Sequence, residues 1–222
     1  MTTSSPPADP RTYRAFVPVK SWERAKTRLG LPAQVRARLA RAFAADTLAA
    51  LTGSAGIDEV VVVTDNPTAR TDLPAGDWDV LVDTDADGLN DALVRAATHP
   101  AYAGGHAVVV VCADLPALRG TDVDTLLAAA RTSARDWFVS DAQEVGTTIL
   151  ASADGTGFRP AFGDASRAVH AARGWQDLSA PAPERVRRDV DTIADLRAAS
   201  ALGLGPATLE VVADLGLDLD LG

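Results

Sequence analysis

Short apolar blocks and longer mixed blocks alternate along the first two thirds of the chain. The short blocks are rich in small and β-branched residues and predict strands at 14–19, 58–64, 79–82 and 107–113. The longer blocks repeat apolar residues at helical spacing and predict helices at 33–51, 89–98 and 121–131, the last with Thr121 as N-cap. This alternation predicts an α/β fold with a mostly parallel central sheet flanked by helices.

The pattern becomes shorter and richer in glycine after residue 135. Brief strands are predicted at 137–139, 147–151, 158–162 and 186–190. Helices are predicted at 164–173, at 192–200 with Asp191 as N-cap, and at 206–214, where Pro206 suits the first helical position. Residues 21–31 predict a loop with at most one helical turn. Residues 1–12 are polar and proline-rich, so we expect a disordered leader followed by one folded domain at 13–222.

One predicted strand ends in a residue that can carry chemistry. The apolar run 107–113 stops at Asp114, which is followed by Leu115 and Pro116. Strands buried on both faces usually lie at the centre of a parallel sheet, and open α/β sheets bind ligands at the carboxyl ends of such strands. The same position also suits an aspartate that merely starts a turn, and the strand alone does not decide between the two.

Composition narrows the classes of partner. The net charge of −9 argues against nucleic acid or an anionic membrane surface, because both are bound through clustered positive charge. No apolar stretch approaches the ~20 residues of a membrane span, and we expect a cytoplasmic protein. The single cysteine, Cys112, excludes an internal disulfide and is interpreted as an inert packed thiol. The three histidines lack metal-ligand spacing, so no zinc site is expected.

Basic residues are nevertheless concentrated in two places. Lys20, Arg24, Lys26 and Arg28 follow the first strand, where a basic loop can hold a triphosphate by ion pairing, although a solvated charged loop is the simpler alternative. A second basic cluster at 185–188 is interpreted as a solvated face. The P-loop, GxGxxG and GxSxG patterns are missing, which disfavours P-loop enzymes, dinucleotide oxidoreductases and serine hydrolases.

Several segments together carry a resemblance to a known family. They are PVKSWERAKTRL at 18–29, LNDAL at 89–93, ADLPAL at 113–118, GTT at 146–148, FG…S at 162–166 and RDVDTIADL at 188–196. With them the chain resembles the 2-phospho-L-lactate and phosphoenolpyruvate guanylyltransferases, called CofC or FbiD. The resemblance implies a single-domain, Rossmann-like GT-A nucleotidyltransferase fold. It also implies transfer of GMP from GTP to a phosphorylated three-carbon acid, with release of pyrophosphate, in coenzyme F420 biosynthesis.

The resemblance implies a set of metal ligands. Asp114 and Asp189 are expected to bind Mg²⁺, which prefers carboxylate and phosphate oxygens. Asp191 matches the same family motif, but the helix N-cap is its favoured interpretation. No general base is expected, because a phosphomonoester with a second pKa of about 6 is already mostly dianionic at neutral pH.

The resemblance also implies how the two substrates are held. Lys20, Lys26 and Arg28 are expected to hold the triphosphate, with Lys26 also a candidate for the charge of the acceptor. Asn90 is expected to contact the guanine or the ribose, or alternatively to cap the helix that it begins.

A further set of residues matches the family's site for the acceptor phosphate, where backbone and hydroxyl donors suit a phosphate. They are Thr148, Gly163 and Ser166. The favoured acceptor is phosphoenolpyruvate, with 2-phospho-L-lactate and 3-phosphoglycerate as alternatives. The downstream F420 transferase is a candidate partner, because phosphoanhydride-linked products are expected to be labile.

Other functions stay open. A nucleotidyltransferase of molybdenum-cofactor type would carry a glycine-rich loop after the first strand, and that loop is missing. A sugar-transferring GT-A enzyme would show an Asp-x-Asp metal motif, which residues 83–85 and 85–87 match formally after a short strand. A non-catalytic nucleotide-binding regulator is the alternative from a different class.

Overall fold

The computed structural model describes residues 12–22, 25–102, 107–131, 136–153, 155 and 157–219. The predicted leader, apart from Thr12, lies outside the described residues, as does Arg24. No helix in the described ranges is both long and apolar enough to cross a membrane.

One sheet of seven strands runs through the described part of the chain. Its strands are β1 Tyr13–Val19, β2 Ile57–Thr64, β3 Asp79–Val82, β4 Ala107–Val111, β5 Trp137–Ser140, β6 Thr147–Ser152 and β7 Gln176–Asp177. Their spatial order is β3-β2-β1-β4-β6-β5-β7, so β4 lies at the centre as predicted. All neighbouring pairs are parallel except those of β6, which runs antiparallel to β4 and β5. The predicted α/β fold with a mostly parallel sheet is confirmed.

Helices cover both faces of this sheet. They are α1 Ala33–Thr52, α2 Ala69–Asp72, α3 Leu89–Thr98, α4 Gly120–Ala130, α5 Ser166–Ala172, α6 Ile193–Ala201 and α7 Pro206–Asp214. Along β1, Ala15 and Val17 join the core beneath α1 and α4, whereas Phe16 packs on the other face with Leu93 of α3. Burial on both faces explains why β1, β2 and β4 read as continuous apolar runs.

Several predicted element boundaries are corrected by the structure. The central strand ends at Val111, two residues earlier than expected. The N-cap of α4 is Arg119 rather than Thr121, and the Asp122 carboxylate accepts the Arg119 N–H at 3.1 Å. Helix α5 begins at Ser166 instead of residue 164, because Ala165 adopts a left-handed conformation with φ of 56°. The short elements α2 and β7 were not predicted.

Two predicted strands do not form. Residues 158–162 form a loop, and the backbone N–H groups of Ala161 and Phe162 bond to side chains instead of a neighbouring strand. Residues 186–190 follow a 3₁₀ turn at Glu184–Val186 and continue as a loop. Val186 and Val190 are fully buried there, so their apolar character reflects burial of the loop rather than a strand.

A buried carboxylate joins the carboxyl-terminal helix to α1. Asp46 of α1 is only 4% exposed, and its two oxygens accept the N–H groups of Ala207 at 3.0 Å and Thr208 at 2.9 Å. These donors belong to the first turn of α7, where a negative charge also meets the positive end of the helix dipole. Gly205 packs so closely on this carboxyl that any side chain there would collide with it.

We expect Asp46→Ala to lower the free energy of unfolding by about 2 kcal/mol, because two buried N–H groups lose their acceptor. Urea denaturation measures the change. Asp214→Ala, at the other end of α7, is the matched control, because its ion pair with Arg38 is exposed and should contribute less than about 1 kcal/mol. Equal losses in the two variants would contradict an anchoring role for Asp46.

Candidate active site

The carboxyl end of β4 brings two distant segments together. Asp114 follows this strand, and its carbonyl oxygen accepts the N–H of Val190 at 3.0 Å. That single bond places the loop with Asp189 and Asp191 against the end of the central strand. Asp114 thus lies at the sheet edge where ligands bind in open α/β folds.

Three carboxylates converge at this point. One oxygen from each of Asp114, Asp189 and Asp191 lies within 4.8 Å of the other two. The Oδ1 atoms of Asp114 and Asp189 are buried and have no hydrogen-bond partner among the described residues. Buried, unpartnered carboxylate oxygens at this spacing fit a hard divalent cation, which takes oxygen ligands. These residues can therefore hold a metal.

Lys26 supplies the positive charge that faces the cluster. Its ammonium donates to the Asp114 carboxylate and to Asp191 Oδ1 at 2.8 Å, and Arg28 Nη1 lies 3.0 Å from Asp191 Oδ2. Lys26 itself has φ of 55°, a conformation uncommon for a residue with a side chain. The Lys26 side chain is only 12% exposed, so this ion pair is largely shielded from solvent.

The charged groups of the cluster differ in the direction in which their pKa values are shifted. Burial acts to lower the pKa of Lys26, but the charges of Asp114 and Asp191 outweigh it and raise that pKa, so the ammonium stays charged. Burial, together with the charges of Asp114 and Asp191, raises the pKa of Asp189 to about 7. The pKa of Asp191 is lowered, because Lys26 and Arg28 outweigh the opposing effect of burial. Asp189 is thus the carboxylate that most lacks a counter-charge.

The structure corrects the interpretation of Asp191. Helix α6 is capped by Thr192, whose Oγ1 accepts the Asp195 N–H at 3.2 Å while the Asp195 carboxylate accepts the Thr192 N–H at 2.8 Å. This reciprocal pair is a capping box, and the Thr-x-x-Asp spacing in the sequence was the signal for it. Asp191 is therefore not the cap, and its carboxylate belongs to the cluster.

Two neighbouring cavities open beside the cluster. The first, of about 320 Å³, is lined by Lys26, Asp114 and Cys112, and the second, of about 470 Å³, by Thr64 and other residues at the ends of β2 and β3. Lys20, exposed at the end of β1, lines both. Leu89 at the start of α3 also lines both cavities. Pockets of a few hundred cubic ångströms are of the size that small ligands use.

The Cys112 thiol in the first cavity is not poised for reaction. Burial, with the charges of Asp114 and Asp189, raises the pKa of this thiol well above its usual value. A protonated thiol is a poor nucleophile. The raised pKa agrees with an inert thiol, but Cys112 is not packed inside the strand as predicted: it follows β4 and lies half-buried in the cavity wall.

The predicted acceptor residues lie on β6 and around the start of α5. Thr148 is buried, and its hydroxyl donates to the Val186 carbonyl at 2.7 Å. Ser166 is also buried and donates to Thr147 Oγ1 at 3.2 Å. Gly163 is exposed with φ of 135°. The Thr148 carbonyl accepts the Cys112 N–H at 2.9 Å, which places β6 beside the residues that lead into Asp114.

Asn90 does not cap its helix, because Gly88 holds the N-cap position of α3. Both ends of the Asn90 amide bond instead to the backbone of Phe162: its Oδ1 accepts the Phe162 N–H at 2.8 Å, and its Nδ2 donates to the Phe162 carbonyl at 2.9 Å. The expected contact of Asn90 with guanine or ribose stays a prediction.

The second basic cluster is not a solvated face. Arg187 donates to the carbonyls of Ser140 and Asp141, and Arg185 donates to the Leu202 carbonyl at 3.0 Å. These arginines hold the loop before Asp189 onto β5 and α6. Their role depends on the carbonyls that surround them, which charge spacing in the sequence does not reveal.

His170 is a residue of this region that sequence spacing does not reveal, because the three histidines form no recognisable motif. It is fully buried, and its Nδ1 lies 3.0 Å from Thr147 Oγ1 while its Nε2 accepts the Ala161 N–H at 3.1 Å. Burial, with a smaller effect of Arg173, lowers the pKa of His170 to about 4. The ring is therefore neutral at physiological pH.

Comparison with known proteins decides the family. The family model described as "Guanylyl transferase CofC like" matches residues 13–219. The chain belongs to this family. The resemblance found in the sequence motifs is thereby confirmed.

Relatives agree over nearly the whole chain. A phosphoenolpyruvate guanylyltransferase from Thermomonospora curvata is 47% identical over 204 residues, covering 91% of this chain and 89% of the relative. Another, from Streptomyces avermitilis, is 45% identical over 208 residues, covering 91% and 95%. Among solved structures, a nucleotidyl transferase from Methanothermobacter thermautotroptrophicus has a TM-score of 0.53 at 15% identity, covering 86% of this chain and 97% of that one. This last likeness concerns the fold alone.

The raised pKa of Asp189 predicts how stability depends on pH in the metal-free protein. The folded state holds the Asp189 proton up to about pH 7, whereas the ordinary value is 3.8, so the folded state binds more protons between these values. Stability therefore falls as pH rises from about 4 to about 7, and this group causes no further loss above that range.

Thermal unfolding of chelator-treated protein across this range measures the effect. Asp189→Asn, which cannot ionise, should remove this part of the decline. Parallel curves for wild type and variant would show that the Asp189 pKa is not raised.

Proposed function

We propose that this protein transfers GMP from GTP to phosphoenolpyruvate and releases pyrophosphate, as a step in coenzyme F420 biosynthesis. The observation that carries the proposal is the convergence of Asp114, Asp189 and Asp191 near Lys26, beside a cavity that shares Lys20 and Leu89 with a second cavity. The names of the bacterial relatives, which match nearly the full chain, supply the donor class and the favoured acceptor.

The chemistry requires charge neutralisation more than proton transfer. An oxygen of the acceptor phosphate forms a bond to the α-phosphorus of GTP, and the bond from that phosphorus to the β-phosphate oxygen breaks, so that pyrophosphate leaves. The attacking phosphate is already mostly dianionic at neutral pH, since its second pKa is about 6. The difficulty is to bring two polyanions together and in line.

The carboxylates and the basic loop divide this work. Asp114, Asp189 and Asp191 would hold Mg²⁺, and such a bound cation would supply neutralisation of phosphate charge. Lys20, exposed at the mouth of both cavities, and Arg28 bind and orient the triphosphate.

Lys26 has a second role in the proposal. Its ammonium lies within hydrogen-bond distance of two carboxylates in the metal-free protein, where it offsets part of their charge. With the metal bound, the same ammonium is available to the triphosphate or to the acceptor.

The acceptor is held on the β6 side of the site. Gly163 and Ser166 lie around the start of α5, and the Thr148 backbone pairs with the residues that lead into Asp114. The backbone of Gly163 is exposed and can meet a phosphate, whereas the buried hydroxyls of Thr148 and Ser166 are bonded to Val186 and Thr147 and support the loop from behind. A role of the downstream F420 transferase as partner and a cytoplasmic location stay predictions.

Pyrophosphate release by the purified protein, with Mg²⁺ and GTP, tests the proposal. Phosphoenolpyruvate, 2-phospho-L-lactate and 3-phosphoglycerate are offered separately, and ATP and CTP replace GTP as controls. Release with GTP and phosphoenolpyruvate is the expected result. Pyrophosphate release with GTP and a different one of the three acids would identify that acid as the acceptor. If no pyrophosphate is released with any of the three acids, even after addition of the downstream transferase, the proposal is contradicted.

Asp114→Asn is expected to fold normally and to lose at least about a hundredfold in turnover, because it removes the charge of one proposed metal ligand. Steady-state pyrophosphate release measures the rate, and circular dichroism checks the fold. Asp214→Asn, an exposed carboxylate at the end of α7, is the control and should keep the wild-type rate. A near-normal rate in Asp114→Asn would remove Asp114 from the mechanism.

A further inference from the structure

The segment that carries Gly163 is a loop held by side chains. We call residues 159–165 the acceptor loop; it leads from the end of the β6 region into α5 and forms no strand. A loop without a strand partner must satisfy its backbone N–H and C=O groups elsewhere. Two consecutive residues, Ala161 and Phe162, do so through the side chains of two different helices.

The first of these attachments comes from α3. The Asn90 amide pairs with both the N–H and the carbonyl of Phe162, at 2.8 and 2.9 Å. This two-point pairing fixes the orientation of the peptide as well as its position, since a planar amide meets a donor and an acceptor at once. Gly163 is the next residue along the chain.

The second attachment comes from α5. Because His170 Nε2 accepts the Ala161 N–H, the ring proton lies on Nδ1 and is donated to Thr147 Oγ1. Thr147 Oγ1 also accepts the hydroxyl of Ser166 at 3.2 Å. One histidine thus ties the acceptor loop, the first residue of β6 and the first residue of α5 together.

The surroundings keep His170 in this role. Its ring stacks on Trp175, with centroids 5.5 Å apart and planes at 28°, and it also contacts the rings of Phe138 and Phe162. The burial that lowers its pKa to about 4 keeps Nε2 unprotonated, so the nitrogen remains an acceptor at neutral pH.

We propose that Asn90 and His170 are positioning residues for the acceptor: they hold the acceptor loop so that the exposed backbone of Gly163 can receive the phosphate of the phosphorylated acid. This inference rests on the proposed function, which places the acceptor phosphate at this loop. It assigns Asn90 to the acceptor side of the reaction, because both ends of its amide already bond to the acceptor loop.

Asn90 also connects the loop to the nucleotide side. Its neighbour Leu89 lines both cavities beside the carboxylate cluster, and Gly88 lines the second of them. The amino-terminal end of helix α3 therefore lines the proposed GTP site, and its second residue, Asn90, bonds to the acceptor loop. Residues 88–90 therefore contribute to both proposed substrate sites.

Steady-state kinetics of four variants test the proposal. Asn90→Ala removes the pairing, and Asn90→Asp keeps an acceptor for the Phe162 N–H but places an oxygen against the Phe162 carbonyl. His170→Phe keeps the ring stacking and loses both hydrogen bonds, whereas His170→Gln can still offer an acceptor to the Ala161 N–H. Thr98→Ala, an exposed residue on the same helix as Asn90, is the control.

Both Asn90 variants and His170→Phe should raise the KM for phosphoenolpyruvate by about tenfold while the KM for GTP stays within about twofold of wild type. His170→Gln should recover part of the loss. Calorimetric GTP binding without the acid should be unchanged in all variants. A merely structural role would lower kcat and the thermal midpoint without separating the two KM values.

Hydrogen exchange of the acceptor loop separates failure of this inference from failure of the proposed function. Faster exchange at Ala161 and Phe162 in the variants shows that the two side chains hold the loop, whatever the substrate. Should His170→Phe fail to fold, the Asn90 pair decides alone. An unchanged KM for the acid with a raised KM for GTP would overturn the inference, and so would unchanged loop exchange. Inactivity of the wild type with all acids would instead overturn the proposed function.

Discussion

Three carboxylates held close together at the end of the central strand need positive charge, and much of the surrounding structure serves that need. Two unit charges about 5 Å apart repel by about 3 kcal/mol at an effective dielectric constant near 20. Lys26 offsets part of this in the metal-free protein by facing Asp114 and Asp191, while Asp189 responds through a pKa raised to about 7. A divalent cation would complete the balance, so the cluster is suited to metal binding.

The fold creates this cluster from residues far apart in the sequence. The double burial of β4 fixes Asp114 at the sheet edge, and one backbone bond from Val190 to the Asp114 carbonyl brings in the other two carboxylates. The antiparallel β6 then carries Thr147 and Thr148 to the same edge from the opposite direction. The antiparallel strand β6 thus places part of the proposed acceptor site beside Asp114.

Features that follow from burial and chain direction were predictable. The apolar runs of β1, β2 and β4 predict a sheet that is covered on both faces, and the end of the central run predicts that Asp114 lies at the ligand-binding edge. Features that depend on side-chain partners were not. Asp191 and Thr192 are both residue types that cap helices; the Thr-x-x-Asp spacing favours Thr192, and the structure confirms that Thr192 is the cap.

The strands predicted at 158–162 and 186–190 are wrong for the same reason: the sequence pattern does not reveal side-chain partners. Residues 158–162 have the composition of a strand, yet the backbone of Ala161 and Phe162 bonds to His170 and Asn90, which come from two helices. Apolar composition records burial and does not distinguish a strand from a buried loop. The side-chain bonds that hold the acceptor loop therefore cannot be predicted from the pattern of apolar residues alone.

The central claim is that Asp114, Asp189 and Asp191 together bind a divalent cation at the end of β4. Anomalous diffraction from crystals grown with Mn²⁺ in place of Mg²⁺ tests it most directly. The account predicts a manganese peak with oxygens of the three carboxylates at about 2.1 Å and the Lys26 ammonium moved away from Asp114. A peak elsewhere, or no peak at saturating Mn²⁺ with Lys26 still bonded to Asp114 and Asp191, would contradict it.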